Sequence, residues 1–314
     1  MKFHCQGRLQ MGTIKRFIGK RSPSTLIVFL FFFSSIFLLS FAFLYPDTAM
    51  DLVREDGAIE NMQAILYLLG AGLWGFAFIL KSSAKGNGKR RQVFYILFLV
   101  LFLFFFFEEI SWGQRIFGYS TPESLEEMNM QDETNIHNIG WGDSLLWVHL
   151  IMGLFVVTVG IIFPVLKLGS KRASTVFERL RLPVVHHNLI ACFCMALVFY
   201  SEPGFHWFVP LIFIAIFFPI TIILSGKFSA FFDKFENPLL QFSSVAIIGS
   251  LVIVLNINLE TADYLSNNIA FEIRELFIAL ALFFFSAFEA CGAWKKKDKS
   301  KREENSQQLT ANRI

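Results

Sequence analysis

The chain has 314 residues, of which 54% are hydrophobic and only 17% are charged, and 40 of them are phenylalanine. A soluble domain carries about 25% charged residues, so this composition excludes an ordinary soluble protein. The formal net charge of +3 is small, and the basic residues stand beside apolar runs, so no nucleic-acid partner is indicated. Membrane lipids are the expected surroundings of such a chain.

The apolar residues cluster in runs of roughly twenty, the length that a helix needs to cross the hydrocarbon core of a bilayer. We therefore predict an all-α polytopic bundle of eight transmembrane helices. These spans lie at about 25–45, 60–80, 92–116, 144–166, 188–200, 205–224, 238–255 and 271–293. The Pro-Gly within residues 201–204 predicts a turn between the fifth and sixth spans, whereas a kink there would reduce the count to seven.

The spans divide the chain into a basic N-terminal tail at 1–24, a transmembrane domain at 25–294 with an outer loop at 118–143, and a polar tail at 295–314. The last tail cannot bury a core and is predicted to be disordered. Basic and acidic connections alternate along the chain. By the positive-inside rule, both termini are predicted to lie in the cytoplasm and the acidic loops on the periplasmic or extracellular side of the inner (plasma) membrane.

The third span ends in the unusual run FFFFEEISWGQRIFG at residues 104–118. Carboxylates inside a membrane are costly unless they are paired or face a wet cavity, so Glu108 and Glu109 are candidate general bases. If the helix continues to Phe117, four polar residues share one of its faces by spacing. They are Glu108, Ser111, Trp112 and Arg115. An alternative of equal weight is that an ion pair with Arg115 or Arg274 caps the bundle.

The outer loop begins with a predicted short helix at Thr121 and Pro122 and continues into a polar cluster around His137. His149 follows on the outer side of the fourth span. Together with Glu108 and Glu109, these two histidines are the candidate catalytic residues. The candidate substrate-binding residues are Ser111, Trp112, Gln114, Arg115, Asn135 and Asn138.

A divalent metal is one hypothesis for the cofactor. His137, His149 and His206 could hold it, since three imidazoles and a water form a catalytic zinc site. No two of these histidines share a recognised ligand spacing, so neither the cofactor nor its ligands are assigned.

The segments REDGxxE, EEISWGQRIFG, TPE and NxHN, in this order between Arg54 and His149, resemble a family of uncharacterised bacterial multi-spanning membrane proteins. This resemblance implies an inner-membrane location and no established activity. Glu108 with Ser111 is also remotely similar to the acid-and-serine motif of alkaline-ceramidase-like intramembrane hydrolases. That family carries an HxxxH on its last helix, and the eighth span here has no histidine.

Three functions are compatible with these residues. The first is an outward-facing hydrolase or transferase that acts on a lipid or a lipid-linked substrate, with Arg115 binding an anionic headgroup. The second is a scaffold or assembly protein whose outer loop docks a periplasmic partner. The third is a proton- or cation-coupled transporter, which would place its acids near the bilayer midplane rather than at the outer edge.

Overall fold

The computed structural model describes residues 23–53, 57–82, 89–126, 129, 133–136, 146–198, 241, 243–251 and 266–311. Regular secondary structure in this part of the chain is helical, and no β-strand is present in it. The sixth predicted span, both ends of the seventh and the turn at 201–204 lie outside the described residues. The count of eight spans, or seven, therefore stays a prediction.

In chain order the helices are α1 (Pro23–Leu44), α2 (Pro46–Val53), α3 (Ala58–Ser82), α4 (Lys89–Glu109), α5 (Gln114–Phe117), α6 (Glu123–Glu126), α7 (Leu146–Val157), α8 (Phe163–Gly169), α9 (Lys171–Leu180), α10 (Ile190–Val198) and α11 (Ser266–Ala311). A π-helical segment, Thr158–Ile162, joins α7 to α8 in one rod. A helical segment at 243–251 lies between α10 and α11.

Five elements of the described part are long and apolar enough to cross a membrane. They are α1, α3, α4, the rod that ends with α8, and α11. The first of them, α1, contains no charged residue in 22 positions. Helices that are apolar around their whole circumference belong in lipid or against other apolar helices, so the described fold is that of a membrane protein.

Helices α3, α4 and α11 form the centre of the bundle. Trp74 of α3 is fully buried, and its ring centroid lies 4.6 Å from that of Phe98 in α4 and 5.2 Å from that of Phe285 in α11. Gly70 of α3 lets α4 approach closely, since a Cβ at Gly70 would lie 2.4 Å from Cε1 of Phe102. In lipid, such close packing is a main source of attraction between helices.

Polar contacts join this three-helix centre at its two ends. At one end, Gln63 of α3 donates through Nε2 to the carbonyl oxygen of Glu272, at 3.1 Å, and to its carboxylate, at 3.3 Å. At the other end, Nη2 of Arg91 and Oε2 of Glu289 form an ion pair at 2.6 Å. We call the first the Glu108 end, because Glu108 lies in the last turn of α4 there, and the second the Arg91 end.

The third span is shorter than the sequence predicted. A helix was expected over residues 92–116, but α4 ends at Glu109 and the backbone turns at Ser111–Gly113 before α5 begins. Gly113 has a φ of 83°, a left-handed conformation that glycine adopts without steric cost. The predicted end of this span at residue 116 is therefore wrong, and the helix does not continue to Phe117.

The last helix is longer than the sequence predicted. Residues 295–311, for which composition predicted disorder, continue α11 as one helix to Ala311. Lysine, arginine, glutamate and glutamine are good helix formers. A helix that already exists also extends by one hydrogen bond per residue without the cost of a new nucleus. The hydrophobic part of α11 is such an existing helix, so the polar residues after it can continue it, although their composition alone predicted disorder.

Replacing Gly70 by alanine should separate α3 from α4. Phe102 is fully buried, so its ring has little room to yield to the new methyl group. Overpacking of this kind costs about 1–3 kcal/mol, and a lower free energy of unfolding should be measured in detergent. Gly72→Ala is the matched control, because nothing lies within 4 Å of its added Cβ. Equal stability of the two variants would contradict the close contact.

Cysteine labelling can test the predicted orientation. Glu123 is exposed at the Glu108 end, and Thr175 is exposed at the Arg91 end. In a background with the four native cysteines replaced by alanine, a membrane-impermeant thiol reagent should label Glu123→Cys in intact cells. It should label Thr175→Cys only after the cells are permeabilised. The reverse order of labelling would contradict cytoplasmic termini.

Candidate functional site

The segment after α4 forms a sharp elbow, which we define as residues 110–118. Ser111 and Trp112 have φ values of 46° and 56°, in the left-handed region that non-glycine residues rarely adopt. Each such residue costs roughly 1–2 kcal/mol in local conformational energy. Strained backbone of this type persists where surrounding contacts hold it, and it is enriched at functional sites.

The carboxylate of Glu108 holds this elbow. It is buried, and Oε1 accepts a hydrogen bond from the indole Nε1 of Trp112 at 2.6 Å. Oε2 accepts from the backbone N–H of Ile136 at 2.7 Å. Short hydrogen bonds to an ionised carboxylate are stronger than neutral ones, and they compensate its burial. Glu108 therefore connects the end of α4 to the elbow and to the distant segment 133–136.

Ser111 and Gln114 fasten the same segment to the elbow. The hydroxyl of Thr134 donates to the carbonyl oxygen of Ser111 at 2.6 Å, and the backbone N–H of Thr134 donates to Oε1 of Gln114 at 2.8 Å. Nε2 of Gln114 donates to the hydroxyl of Thr121 at 2.8 Å. Both residues, expected to bind substrate, make contacts that position the loop.

Asn135 lies in a buried polar cluster within the loop. Its Nδ2 donates to the carboxylate of Glu133 and, at 3.5 Å, to the hydroxyl of Ser111. Nδ2 of Asn129 donates to the carbonyl oxygen and to Oδ1 of Asn135, at 2.9 and 3.0 Å. Such a network orders the loop when its members are satisfied. Asn129 and Glu133 were not predicted, because a polar loop sequence does not reveal which of its amides and acids are buried.

A cavity of about 300 Å³ lies beside Glu108 and Glu109. Its walls come from α3, α4, α7, α11 and Ile136 of the loop. The apolar lining residues are Leu101, Phe104, Phe105, Ile136, Ile151, Met152, Phe155 and Ile278, and the polar ones are Tyr67, Glu108, Glu109, Arg274 and Glu275. The cavity therefore combines hydrocarbon walls with a charged group of side chains.

The charged side chains of the cavity include a close pair from α11. Arg274 is almost fully buried, and its Nη2 lies 3.6 Å from Oε1 of Glu275. Helix α11 thus brings a guanidinium and a carboxylate beside the two acids that end α4. Arg274 was considered as an ion-pair partner from the sequence, whereas Tyr67, a single hydroxyl within an apolar span, was missed.

Because α4 ends before the elbow, the four polar residues predicted to share a face do not lie on one helix. The contact between Trp112 and Glu108 is nevertheless present. Trp112 still reaches Glu108, but Ser111 lies in a left-handed turn rather than one helical turn above it. The short helix expected after Thr121 is confirmed as α6. His137 and Asn138 lie outside the described residues, as do the side chains of Arg115 and His149. The roles predicted for these four residues stay predictions.

Among the described residues, no group of three or more His, Cys, Asp or Glu side chains is placed to hold a metal ion. The three histidines of the metal hypothesis are not among the described side chains, so that hypothesis stays untested. No protein-family model matches the chain, and no curated protein or solved structure matches it. The function must therefore be inferred from the site itself.

Replacing Trp112 by phenylalanine should loosen the elbow. The variant keeps an aromatic ring beside Phe107, whose centroid lies 5.6 Å from that of Trp112, but loses the N–H that Glu108 accepts. Hydrogen bonds to charged groups contribute about 1.5–3 kcal/mol, and a loss of this size is expected in the free energy of unfolding. Trp294→Phe is the matched control, since Trp294 is exposed and stacks on Phe76. An equal effect of both changes would show that this hydrogen bond does not stabilise the elbow.

Proposed function

We propose that this protein is a membrane-embedded hydrolase or transferase that acts on a lipid or a lipid-linked substrate. The observation that carries the proposal is the single cavity in which eight apolar side chains meet Glu108, Glu109, Arg274 and Glu275. Ligand sites combine mainly apolar walls with a few polar groups that fix orientation, and their volumes begin at about 300 Å³. An amphiphile matches this combination: a hydrocarbon part against the walls and a polar part at the charged end.

The rim of the cavity supports entry from the bilayer. Phe104 and Ile151 both line the cavity, and they expose 37% and 65% of their surface. Apolar side chains that are exposed on a membrane bundle face acyl chains rather than water. A lipid can therefore slide its chain between α4 and α7 without leaving the hydrocarbon layer.

The two adjacent carboxylates have different roles in this proposal. Glu108 accepts hydrogen bonds from Trp112 and Ile136, so it is the residue that positions the site. Glu109 is half-buried in the cavity lining and is the general base. Arg274 supplies the positive charge that binds an anionic headgroup and stabilises charge developing on its oxygen.

In the hydrolytic form of the reaction, Glu109 takes a proton from water while the water oxygen bonds to the electrophilic phosphorus or carbonyl carbon. The bond to the leaving oxygen then breaks, and that oxygen receives the proton held by Glu109. A transferase uses a substrate hydroxyl in place of water. No redox partner is needed for either reaction.

We also propose that the protein lies in a bacterial inner membrane with this cavity toward the periplasm. The alternation of basic and acidic connections supports that orientation. The resemblance of the EEISWGQR, TPE and NxHN segments to a bacterial membrane family supports the location.

A second candidate function is a non-enzymatic scaffold that docks a periplasmic partner. It is favoured by the exposed side chains of Ile116 and Phe117 on the elbow. This alternative and the enzyme make opposite predictions for Glu109, because a docking surface does not need a carboxylate inside the cavity.

Glu109→Gln should abolish turnover while preserving the fold. The protein is incubated in nanodiscs that are made from the lipid extract of its host, and the lipid products are measured by mass spectrometry. Loss of a general base lowers rates by about 10²–10⁴-fold, so products should fall by at least a hundredfold. Glu123→Gln is the matched control, since Glu123 is an exposed acid at the same end of the bundle. Retained turnover in the Glu109 variant would contradict its role.

A second pair of variants tests the cavity independently of the chemistry. Met152→Trp fills the cavity and should reduce both turnover and co-purified lipid, whereas Met62→Trp adds the same bulk at an exposed position. Absence of any lipid product in the unaltered protein, with a partner protein captured through the elbow, would favour the scaffold.

A further inference from the structure

Helix α9, at the Arg91 end, has one apolar and one basic face. Phe177 is buried, and its ring centroid lies 5.3 Å from that of Phe163 in α8. Val176 and Leu180 lie on the same side of the helix and are about half exposed. The opposite side carries Lys171, Arg172, Thr175 and Arg179. This arrangement is typical of a helix that lies in the membrane interface, with its apolar side toward acyl chains.

The end of α9 and the start of α4 enclose a polar cleft. Its lining residues are Arg90, Thr175, Glu178, Arg179 and Arg181. Nη1 of Arg90 donates to the carbonyl oxygen of Arg179 at 3.4 Å, which joins the two helices. Glu178 is partly engaged by its own helix, since its carboxylate accepts from the hydroxyl of Ser174 at 3.2 Å. Three guanidinium groups against one carboxylate leave the cleft positively charged.

Arg181 occupies a position that favours glycine. It follows the last turn of α9 with a φ of 60°, and its backbone N–H donates to the carbonyl oxygen of Glu178 at 3.2 Å. Helices often end at a left-handed residue, and that residue is usually glycine. An arginine there is locally strained, yet this position makes Arg181 part of the lining of the cleft. Strain at a non-glycine residue is a reason to look for function.

We propose that this cleft binds the phosphate of an anionic phospholipid in the leaflet at the Arg91 end. Arginine presents several N–H donors in a planar fork that matches the oxygens of a phosphate. Val176 and Leu180, exposed on the apolar side of α9, are the residues that the acyl chains of that lipid would contact. The site is separate from the cavity at the Glu108 end and does not depend on the reaction proposed there.

The ordinary explanation of these arginines is the positive-inside rule, which needs basic residues on this side but not in any particular place. The two explanations differ in what happens when charge is removed inside or outside the cleft. Arg181→Gly is especially informative, because glycine suits the left-handed backbone and the fold should not weaken.

The test is a binding titration of the full chain in uncharged detergent with short-chain phosphatidylglycerol, read by native mass spectrometry. Arg179→Gln and Arg181→Gly should each weaken binding roughly fivefold, the change expected for one basic residue near an anionic lipid. Lys171→Gln and Arg172→Gln are the matched controls, since they remove the same charge from α9 outside the cleft. Their affinity should remain close to that of the unaltered chain.

Two further arms identify the ligand. Phosphatidylcholine should bind at least tenfold more weakly than phosphatidylglycerol, and Val176→Ser with Leu180→Ser should weaken phosphatidylglycerol binding with all charges intact. The proposal is overturned if the control variants lose as much affinity as the cleft variants. It is also overturned if inorganic phosphate competes as well as the lipid, because the site would then be one for a free anion.

Discussion

The buried carboxylate of Glu108 accepts hydrogen bonds from the indole N–H of Trp112 and the backbone N–H of Ile136 in the last turn of α4. An ionised group buried to this extent is costly unless donors surround it, so the elbow and the loop must stay in place for the fold to tolerate it. The second of these bonds holds Ile136 beside Glu108, in the cavity lining. The shape of the site therefore depends on a residue that is not proposed to react.

Adjacent residues on a helix point about 100° apart, so the side chains of Glu108 and Glu109 leave α4 in different directions. The first turns toward the elbow and the loop, and both reach the cavity, where α11 contributes Arg274 and Glu275. Hydrocarbon walls beside these charged side chains would be a poor site for a small soluble ion. They suit a molecule that brings its own apolar chain.

The two ends of the bundle have opposite chemistry in the described residues. Acidic and amide side chains gather around Glu108, whereas arginines of α4 and α9 gather near Arg91. The ion pair between Arg91 of α4 and Glu289 of α11 joins these two helices at the Arg91 end. One end is thus organised around a buried carboxylate, and arginine side chains gather at the other.

The sequence alone determined that this is a helical membrane protein and that the run around Glu108 is its unusual segment. Within lipid, every backbone group must be satisfied inside a helix, so apolar runs of sufficient length predict spans directly. Only the tertiary structure decided the left-handed elbow at Ser111–Gly113, the burial of Asn129 and Glu133, and the placing of Arg274 and Glu109 in one cavity lining. The hydrogen bonds that hold the elbow and the loop join residues as many as 28 positions apart, as Glu108 and Ile136 are, and hydropathy and helical spacing carry no information about such contacts.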